Sequence, residues 1–177
     1  MKAANTVPRF FLAALLALTG VLSAPGQAVP NQTATGLAAL RVPEGFKVEL
    51  AAGPELAPYA MFGALDERGR LFLAESSGKN IRGLAMSQAP ECRIRRLEDT
   101  DGDGRYDQSK IFVEHVGIPM GVLWHAGALF VASPPELLRF DDVDGDGHAD
   151  TRTILLTGWN VRGTASLHGP FLGPDGW

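Results

Sequence analysis

Two short acidic segments carry residues whose type and spacing suit a hard metal ion. "DTDGDGRYD" begins at Asp99, and "DVDGDGHAD" begins at Asp142. Each has aspartates at its first, third, fifth and ninth positions, a glycine at its sixth, and a seventh residue whose carbonyl is available, which is the opening pattern of an EF-hand calcium loop. The predicted calcium ligands are Asp99, Asp101, Asp103, Arg105 and Asp107 in the first loop, and Asp142, Asp144, Asp146, His148 and Asp150 in the second.

A complete EF-hand is not predicted, because its twelfth position needs a bidentate glutamate and holds Lys110 in one loop and Thr153 in the other. The residues that follow, "SKIFV" and "RTILL", are typical of strands. We therefore expect each loop to staple two strands, as in the similar DxDxDGxxD loops of integrin-type propellers. The alternative is a solvated acidic turn that uses aspartate and glycine for backbone reasons alone. A catalytic metal is disfavoured, since so many protein oxygens would leave little room for substrate.

The two loops belong to a longer internal repeat. "IRRLEDTDGDGRYDQSKIFVEHV" aligns without a gap on "LLRFDDVDGDGHADTRTILLTGW", at a spacing of 43 residues. "ERGRLFLAES" likewise resembles "HAGALFVASP", and "GPDGW" begins the same pattern again. A repeat of this length, built from short strands, is typical of one four-stranded propeller blade. The stretch "SSGKNIRGLAMSQAPE" between the first two matches is interpreted as an insertion at a blade edge.

The fold class predicted from this repeat is an all-β propeller of four-stranded blades. About two blades and the start of a third are expected, which makes the chain an incomplete propeller because closed propellers have four to eight blades. A complete domain of two packed sheets is the alternative. The propeller part is expected over residues 41–177. "RVPEGFKVEL" predicts a strand after a turn at residues 43–45, with Val42, Phe46, Val48 and Leu50 on one face.

The N-terminal residues 1–28 have the features of a secretory signal peptide. Lys2 and Arg9 precede an apolar run, and the small-residue site "GQA" ends at Ala28. Residues 29–40 are expected to form a flexible mature N-terminus. The sequence thus predicts a periplasmic or secreted protein with no stable membrane span after cleavage, and an uncleaved membrane anchor is the alternative.

Composition excludes several classes of function. The formal net charge is -4, and the sequence has no basic stripe of the kind that nucleic-acid binding requires. Cys92 is the only cysteine, which rules out an intramolecular disulfide and a cysteine-ligated zinc site. We expect Cys92 to be buried.

His168 is the candidate catalytic residue. It stands in "SLHGPFLGPDGW", where two glycine-proline turns predict a position at the mouth of a blade. A histidine there can act as a general base near neutral pH. The other three histidines, at positions 115, 125 and 148, are interpreted as structural or exposed.

Several motifs together resemble a known family. "VPEGFKVELAAGPELAPYAMFGALDERGRLFLAES", "DTDGDGRYD", "GIPMGVLW" and "HGPFLGPDGW" are similar, in this order, to the N-terminal propeller of large exported planctomycete and verrucomicrobial proteins classed as membrane-bound dehydrogenases. In that family the propeller is related to glucose and sorbosone dehydrogenases. A cytochrome c domain with a CxxCH haem site commonly follows it. This sequence has no CxxCH, so haem c is expected only in a downstream domain.

The resemblance implies a role for His168. Sugar dehydrogenases of the wider superfamily use pyrroloquinoline quinone and calcium, and a histidine shortly before a GPDG turn takes the proton of the substrate hydroxyl. His168 and the turn at residues 173–176 match this pattern, although His168 stands closer to the turn than in the glucose and sorbosone members. Its position over the cofactor is therefore left open.

Two functions follow from these observations. The resemblance implies an exported dehydrogenase-like protein that oxidises a sugar or other alcohol with a quinone, and this chain alone is predicted to be inactive because its propeller is incomplete. The alternative is a non-catalytic, calcium-stapled propeller that binds a polysaccharide or a protein. Fold by itself does not separate the two.

Overall fold

The structure is a computed structural model and describes residues 36–80, 84–161 and 167–176. The predicted signal peptide lies outside these residues. The described part is all-β apart from two short helical segments, a single 3-10 turn at Gly36–Ala39 and helix α1 at Leu84–Gln88. The strands are β1 Ala60–Leu65, β2 Leu71–Glu75, β3 Cys92–Glu98, β4 Gln108–Val116, β5 Val122–His125, β6 Ala128–Ser133, β7 Glu136–Asp141 and β8 Thr151–Thr157.

The strands form two four-stranded antiparallel sheets in sequence order. Sheet 1 runs β1-β2-β3-β4, and sheet 2 runs β5-β6-β7-β8. The two sheets repeat the predicted four-stranded unit, and one irregularity is shared as well, because the register between the third and fourth strands shifts at Ile94/Arg95 in sheet 1 and at Leu137/Leu138 in sheet 2. The predicted insertion is the β2–β3 connection, and it contains α1, whereas only two residues join β6 to β7.

The main core lies between the two sheets. Phe72 of sheet 1 meets Phe112 edge-on at 4.9 Å between ring centroids, and the ring of Trp124 from sheet 2 stacks on Phe72 at 4.7 Å. Buried aliphatic side chains of sheet 2, including Leu138, complete this cluster. Each fully buried side chain of this size contributes roughly 1.5–3 kcal/mol, so the facing surfaces hold the sheets together.

The N-terminal segment covers the other face of sheet 1. Leu73, Leu97 and Tyr106 form a second buried cluster, and Ala51, Ala52, Leu56 and Ala57 pack on it. The predicted turn before this segment is confirmed, since Phe46 N–H donates to the Pro43 carbonyl at 3.2 Å.

The predicted strand at residues 46–50 is wrong. No strand is assigned there, and Phe46 and Leu50 are 62% and 48% exposed. An alternating pattern specifies a strand only where a neighbouring strand supplies hydrogen bonds and a surface to cover. Among the described residues no strand pairs with this segment.

The last strand of sheet 2 is open to solvent. Every residue of β8 is exposed, and its apolar residues Ile154, Leu155 and Leu156 are 53%, 41% and 56% exposed. Cys92 is buried, as predicted, and burial raises the pKa of its thiol. No described helix has both the length and the apolar character needed to cross a membrane.

Candidate metal centre

Each acidic loop joins the third and fourth strands of its sheet, and the first loop is held by its own aspartates. Asp99 accepts the N–H of Gly102 on one carboxylate oxygen at 2.8 Å and that of Gly104 on the other at 2.9 Å. Asp107 accepts the hydroxyl of Thr100 at 2.7 Å and so closes the loop. Glycine is required at Gly104 because its φ is 93°, a left-handed conformation that costs other residues energy.

The second loop repeats this network. Asp142 accepts the N–H groups of Gly145 and Gly147 at 2.9 and 3.0 Å, and Asp150 accepts that of Val143 at 2.6 Å. The middle aspartates also match, since each accepts the N–H two residues ahead: Asp101 from Asp103 at 3.1 Å, Asp103 from Arg105 at 2.8 Å, Asp144 from Asp146 at 3.0 Å, and Asp146 from His148 at 2.8 Å. Both loops therefore have one backbone design.

The structure brings together a part of each predicted ligand set. Carboxylate oxygens lie within 4.8 Å of one another in two groups, Asp99 with Asp101 and Asp107, and Asp142 with Asp144 and Asp146. Asp103 and Asp150 are outside these groups. The contacts that Arg105 and His148 make with the loops are through their backbone N–H. The donor set is hard oxygen throughout, which suits calcium and not a softer metal.

Backbone donors stabilise the charged form of the first aspartate. The N–H groups of Gly104 and Gly102 hold the pKa of Asp99 below its ordinary value, against a smaller opposing effect of desolvation. A carboxyl group that stays ionised at neutral pH is what a cation site needs.

Arg96 of β3 distinguishes the second loop and was not predicted. Its side chain is only 6% exposed and points across the sheet interface, with Nη1 at 3.7 Å from the Asp142 carboxylate and Nη2 at 3.6 Å from Glu98. Nη1 makes no hydrogen bond with any described residue. A Cβ on Gly147 would collide with the guanidinium, so a glycine is needed there for space as well as for its φ of 96°. A sequence sign of this arrangement is the adjacent pair Arg95 and Arg96 in β3, because alternation along a strand places one of them on each face of the sheet.

Each loop also donates a backbone hydrogen bond to the part of the chain that packs against its sheet on the N-terminal side. The eighth residue of the second loop, Ala149, donates its N–H to the Phe112 carbonyl of β4 at 2.8 Å. Tyr106, at the same place in the first loop, donates its N–H to the Ala51 carbonyl at 2.7 Å. Lys110 adds a bond from its ammonium to the Asp146 carbonyl at 3.3 Å. The loops thus connect successive layers as well as neighbouring strands.

Two shallow clefts adjoin the loops. One, of about 280 Å³, is lined by residues that include Arg68, Arg70 and Asp99. The other, of about 310 Å³, is lined by residues that include Arg68, Arg70, Trp124 and Asp142. The candidate base His168 is exposed and lines neither cleft.

Comparison with known proteins gives one family. A family model described as "Domain of unknown function (DUF7133)" matches residues 32–177 and covers both acidic loops and both sheets. A search of curated proteins returned no match.

Proposed function

As a member of the DUF7133 family, this chain is, we propose, a calcium-stapled module of a β-propeller that serves binding or assembly and not catalysis. The observation that carries the proposal is the duplicated loop. Two loops in equivalent places of two sheets share one hydrogen-bond network and gather three carboxylates each. Turn formation alone does not require so many neighbouring charges, which repel one another unless a cation lies among them.

Calcium would be held by the carboxylates of the two groups. Within these groups, Asp101 and Asp144 contribute little to the hydrogen bonds that shape the loop backbone. Each of these two accepts a single N–H through Oδ1, which leaves its second oxygen to a cation. Calcium supplies charge neutralisation and fixes the loop. The chain's own residues then keep the third and fourth strands together and present Tyr106 and Ala149 to the preceding layer.

The stacking of the sheets supports the propeller part of the proposal. Sheet 1 packs on sheet 2 through the face that carries Phe72 and Phe112. Sheet 2 contributes the face that carries Val131 and Phe140, which is not the equivalent of that face in the repeat. Contacts between unlike faces of equivalent units are heterologous and can continue from unit to unit into a ring. A packed pair related by a two-fold axis would instead use the same face twice.

Oxidation of a sugar or alcohol remains a prediction from the family resemblance. It would require His168 to face a quinone, and His168 lines neither of the two clefts beside the acidic loops. We therefore keep the non-catalytic role as the proposed function. Quinone-dependent dye reduction that is lost in a His168→Ala variant of the chain would contradict this choice.

Thermal unfolding with and without calcium tests the proposal. Calcium at about 100 times its dissociation constant stabilises a one-site protein by about 2.7 kcal/mol, so we expect the melting temperature to rise by about 5 °C or more. The double variant Asp101→Asn/Asp144→Asn keeps the Oδ1 acceptors and removes two charges, and it should lose the rise. Glu114→Gln, an exposed acid outside the loops, is the matched control and should retain it. Equal melting temperatures in calcium and in chelator would overturn the proposal.

A further inference from the structure

The repeat shows which face of sheet 2 corresponds to the covered face of sheet 1. Phe72 pairs with Arg96 in sheet 1, and Phe130 pairs with Arg139 at the same place in sheet 2. Leu155 of β8 corresponds to Phe112 of β4, since both lie 13 residues after the first aspartate of their loop. The residues Phe130, Leu137, Arg139 and Leu155 therefore define what we name the outer face of sheet 2.

Equivalent residues of the two sheets differ sharply in burial. Phe112 is 2% exposed beneath sheet 2, whereas Leu155 is 41% exposed. The side chain of Arg96 is 6% exposed, whereas that of Arg139 is 43% exposed. The sheet 1 surface is covered, whereas its counterpart on sheet 2 is open at Arg139 of β7 and Leu155 of β8. Only the small Ala132 of β6 is buried as deeply as its sheet 1 equivalent, Ala74.

The equivalent arginines of the two sheets also have different partners. Arg96 is shared between Glu98 on its own strand and Asp142 in the acidic loop of the next sheet. Arg139 pairs with the equivalent own-strand acid, Asp141, at 2.6 Å and lies over the Phe130 ring, and among the described residues it has no ion pair with another sheet. An acidic loop placed over the outer face would contact the Arg139 guanidinium. Arg139 occupies the same position in sheet 2 from which Arg96 of sheet 1 contacts the second loop.

The chain after β8 begins to cover this side. The backbones of Gly121, just before β5, and Gly169 are in direct contact, and a Cβ on Gly121 would collide with the Gly169 carbonyl. Gly176 closes a turn on the Gly173 carbonyl at 3.0 Å with a φ of 86°. Gly127, which precedes the second strand of sheet 2, has a φ of 80°. Residues 169–176 thus begin beside the start of β5 and end in a glycine turn like the one before β6, with no strand assigned between them.

We infer that the outer face of sheet 2 is the docking surface for a third four-stranded sheet of the same repeat, continuous in the chain with residues 167–176 and bearing its own acidic loop. The inference rests on the proposed propeller function and specifies how that propeller grows. Arg139 would then contact the first aspartate of the incoming loop, and the Leu155 carbonyl would accept the N–H of the loop's eighth residue, as Phe112 accepts that of Ala149.

An extended chain tests this inference. Residues 128–161, which supply strands two to four, are appended after Gly176, and a second version appends residues 70–116 instead. Leu155→Asp is introduced into the 177-residue chain and into both extended chains, with Ile154→Asp as the control because Ile154 pairs with Leu138 on the opposite face. Thermal unfolding and amide hydrogen exchange over β8 are measured.

We expect Leu155→Asp to change the melting temperature of the 177-residue chain by less than about 2 °C, since surface substitutions have small effects. In an extended chain the same substitution should lower it by about 5 °C or more, and β8 should gain exchange protection. Ile154→Asp should have the same effect in every chain. The inference is overturned if neither extension protects β8, if the two substitutions respond alike, or if the 177-residue chain dimerises through a Leu155-dependent contact.

The melting temperature of the 177-residue chain with and without calcium separates the two proposals. Protection of β8 in an extended chain, with no calcium-dependent rise in that melting temperature, would contradict only the calcium function. Calcium binding without added protection of β8 would contradict only the docking surface.

Discussion

Arg96 makes the two acidic loops unequal although their backbones match. Its guanidinium lies 3.7 Å from the Asp142 carboxylate, so a calcium ion in the second loop must share that carboxylate with a fixed positive charge. The first loop has Arg68 and Arg70 beside it, and Arg70 is already paired with Asp66 at 2.6 Å. We therefore expect the second loop to bind calcium more weakly than the first.

Replacing Arg96 with methionine should tighten calcium binding by the second loop. The substitution keeps an apolar stem in the sheet interface and removes the competing charge, which predicts roughly a threefold to tenfold lower dissociation constant. Calorimetry in an Asp101→Asn background isolates the second loop. An affinity that falls or stays unchanged would show that Arg96 does not compete for Asp142.

Acid should weaken the fold through Asp99. Because backbone N–H groups lower its pKa in the folded state, its ionised form favours the fold at pH values above the unfolded value of about 3.9. That contribution is lost as the pH falls through the lower, folded value. Asp99→Asn should reduce the melting temperature at pH 7 and flatten its decline between about pH 5 and pH 2. A decline as steep as in the unsubstituted chain would contradict this role.

The sequence could predict the loop residues but not their contacts. Aspartate and glycine at fixed spacing specify the turn, because each bond in the network joins residues two to seven positions apart. Arg96 is a different case, since its partner Asp142 is 46 positions away in the chain. Which carboxylates gather also depends on side-chain rotation, so Asp107 joins the first group while Asp150 is absent from the second.

At the scale of the element, each loop and its two strands form one hairpin. The two hairpins differ in how their loops pack against the neighbouring sheet. Gly104 and Gly147 occupy the same place, with φ values of 93° and 96°. A Cβ on Gly104 meets nothing within 4 Å, whereas one on Gly147 meets the buried guanidinium of Arg96. A side chain would therefore cause similar backbone strain at both positions, but only at Gly147 would it also collide with a neighbouring side chain.

This pair gives a matched prediction. Gly104→Ala should lower the free energy of unfolding by about 1–2 kcal/mol, the cost of a left-handed alanine. Gly147→Ala should cost at least about 1 kcal/mol more, because Arg96 must leave a closely packed interface. Chemical denaturation measures both, and the difference should shrink in an Arg96→Ala background. Equal costs in the original background would rule out a role for Arg96 in packing the second loop.

The elements themselves were predictable to different degrees. The sheets follow from apolar strands separated by glycine turns, and the repeat supplies their register. The segment at residues 46–50 has the same alternation, but no described strand pairs with it, and the bond to the first loop is made by the next residue, Ala51, which accepts the N–H of Tyr106. Local pattern predicts a strand, and tertiary pairing decides whether one forms.

At the scale of the whole molecule, the two equivalent sheets are stacked face to face. Unlike faces meet between the sheets, the acidic loop of each layer bonds to the layer before it, and the outer face of sheet 2 remains open. In this arrangement the N-terminal segment covers one end of the stack. Calcium in both loops would tighten each hairpin and each junction together.

The stoichiometry of calcium binding to the purified chain tests the central claim most directly. Equilibrium dialysis should give two calcium ions per chain, one in an Asp101→Asn or Asp144→Asn variant, and none in the double variant. Glu114→Gln should keep two. An unsubstituted chain that binds no calcium, or a double variant that still binds two ions, would contradict the account.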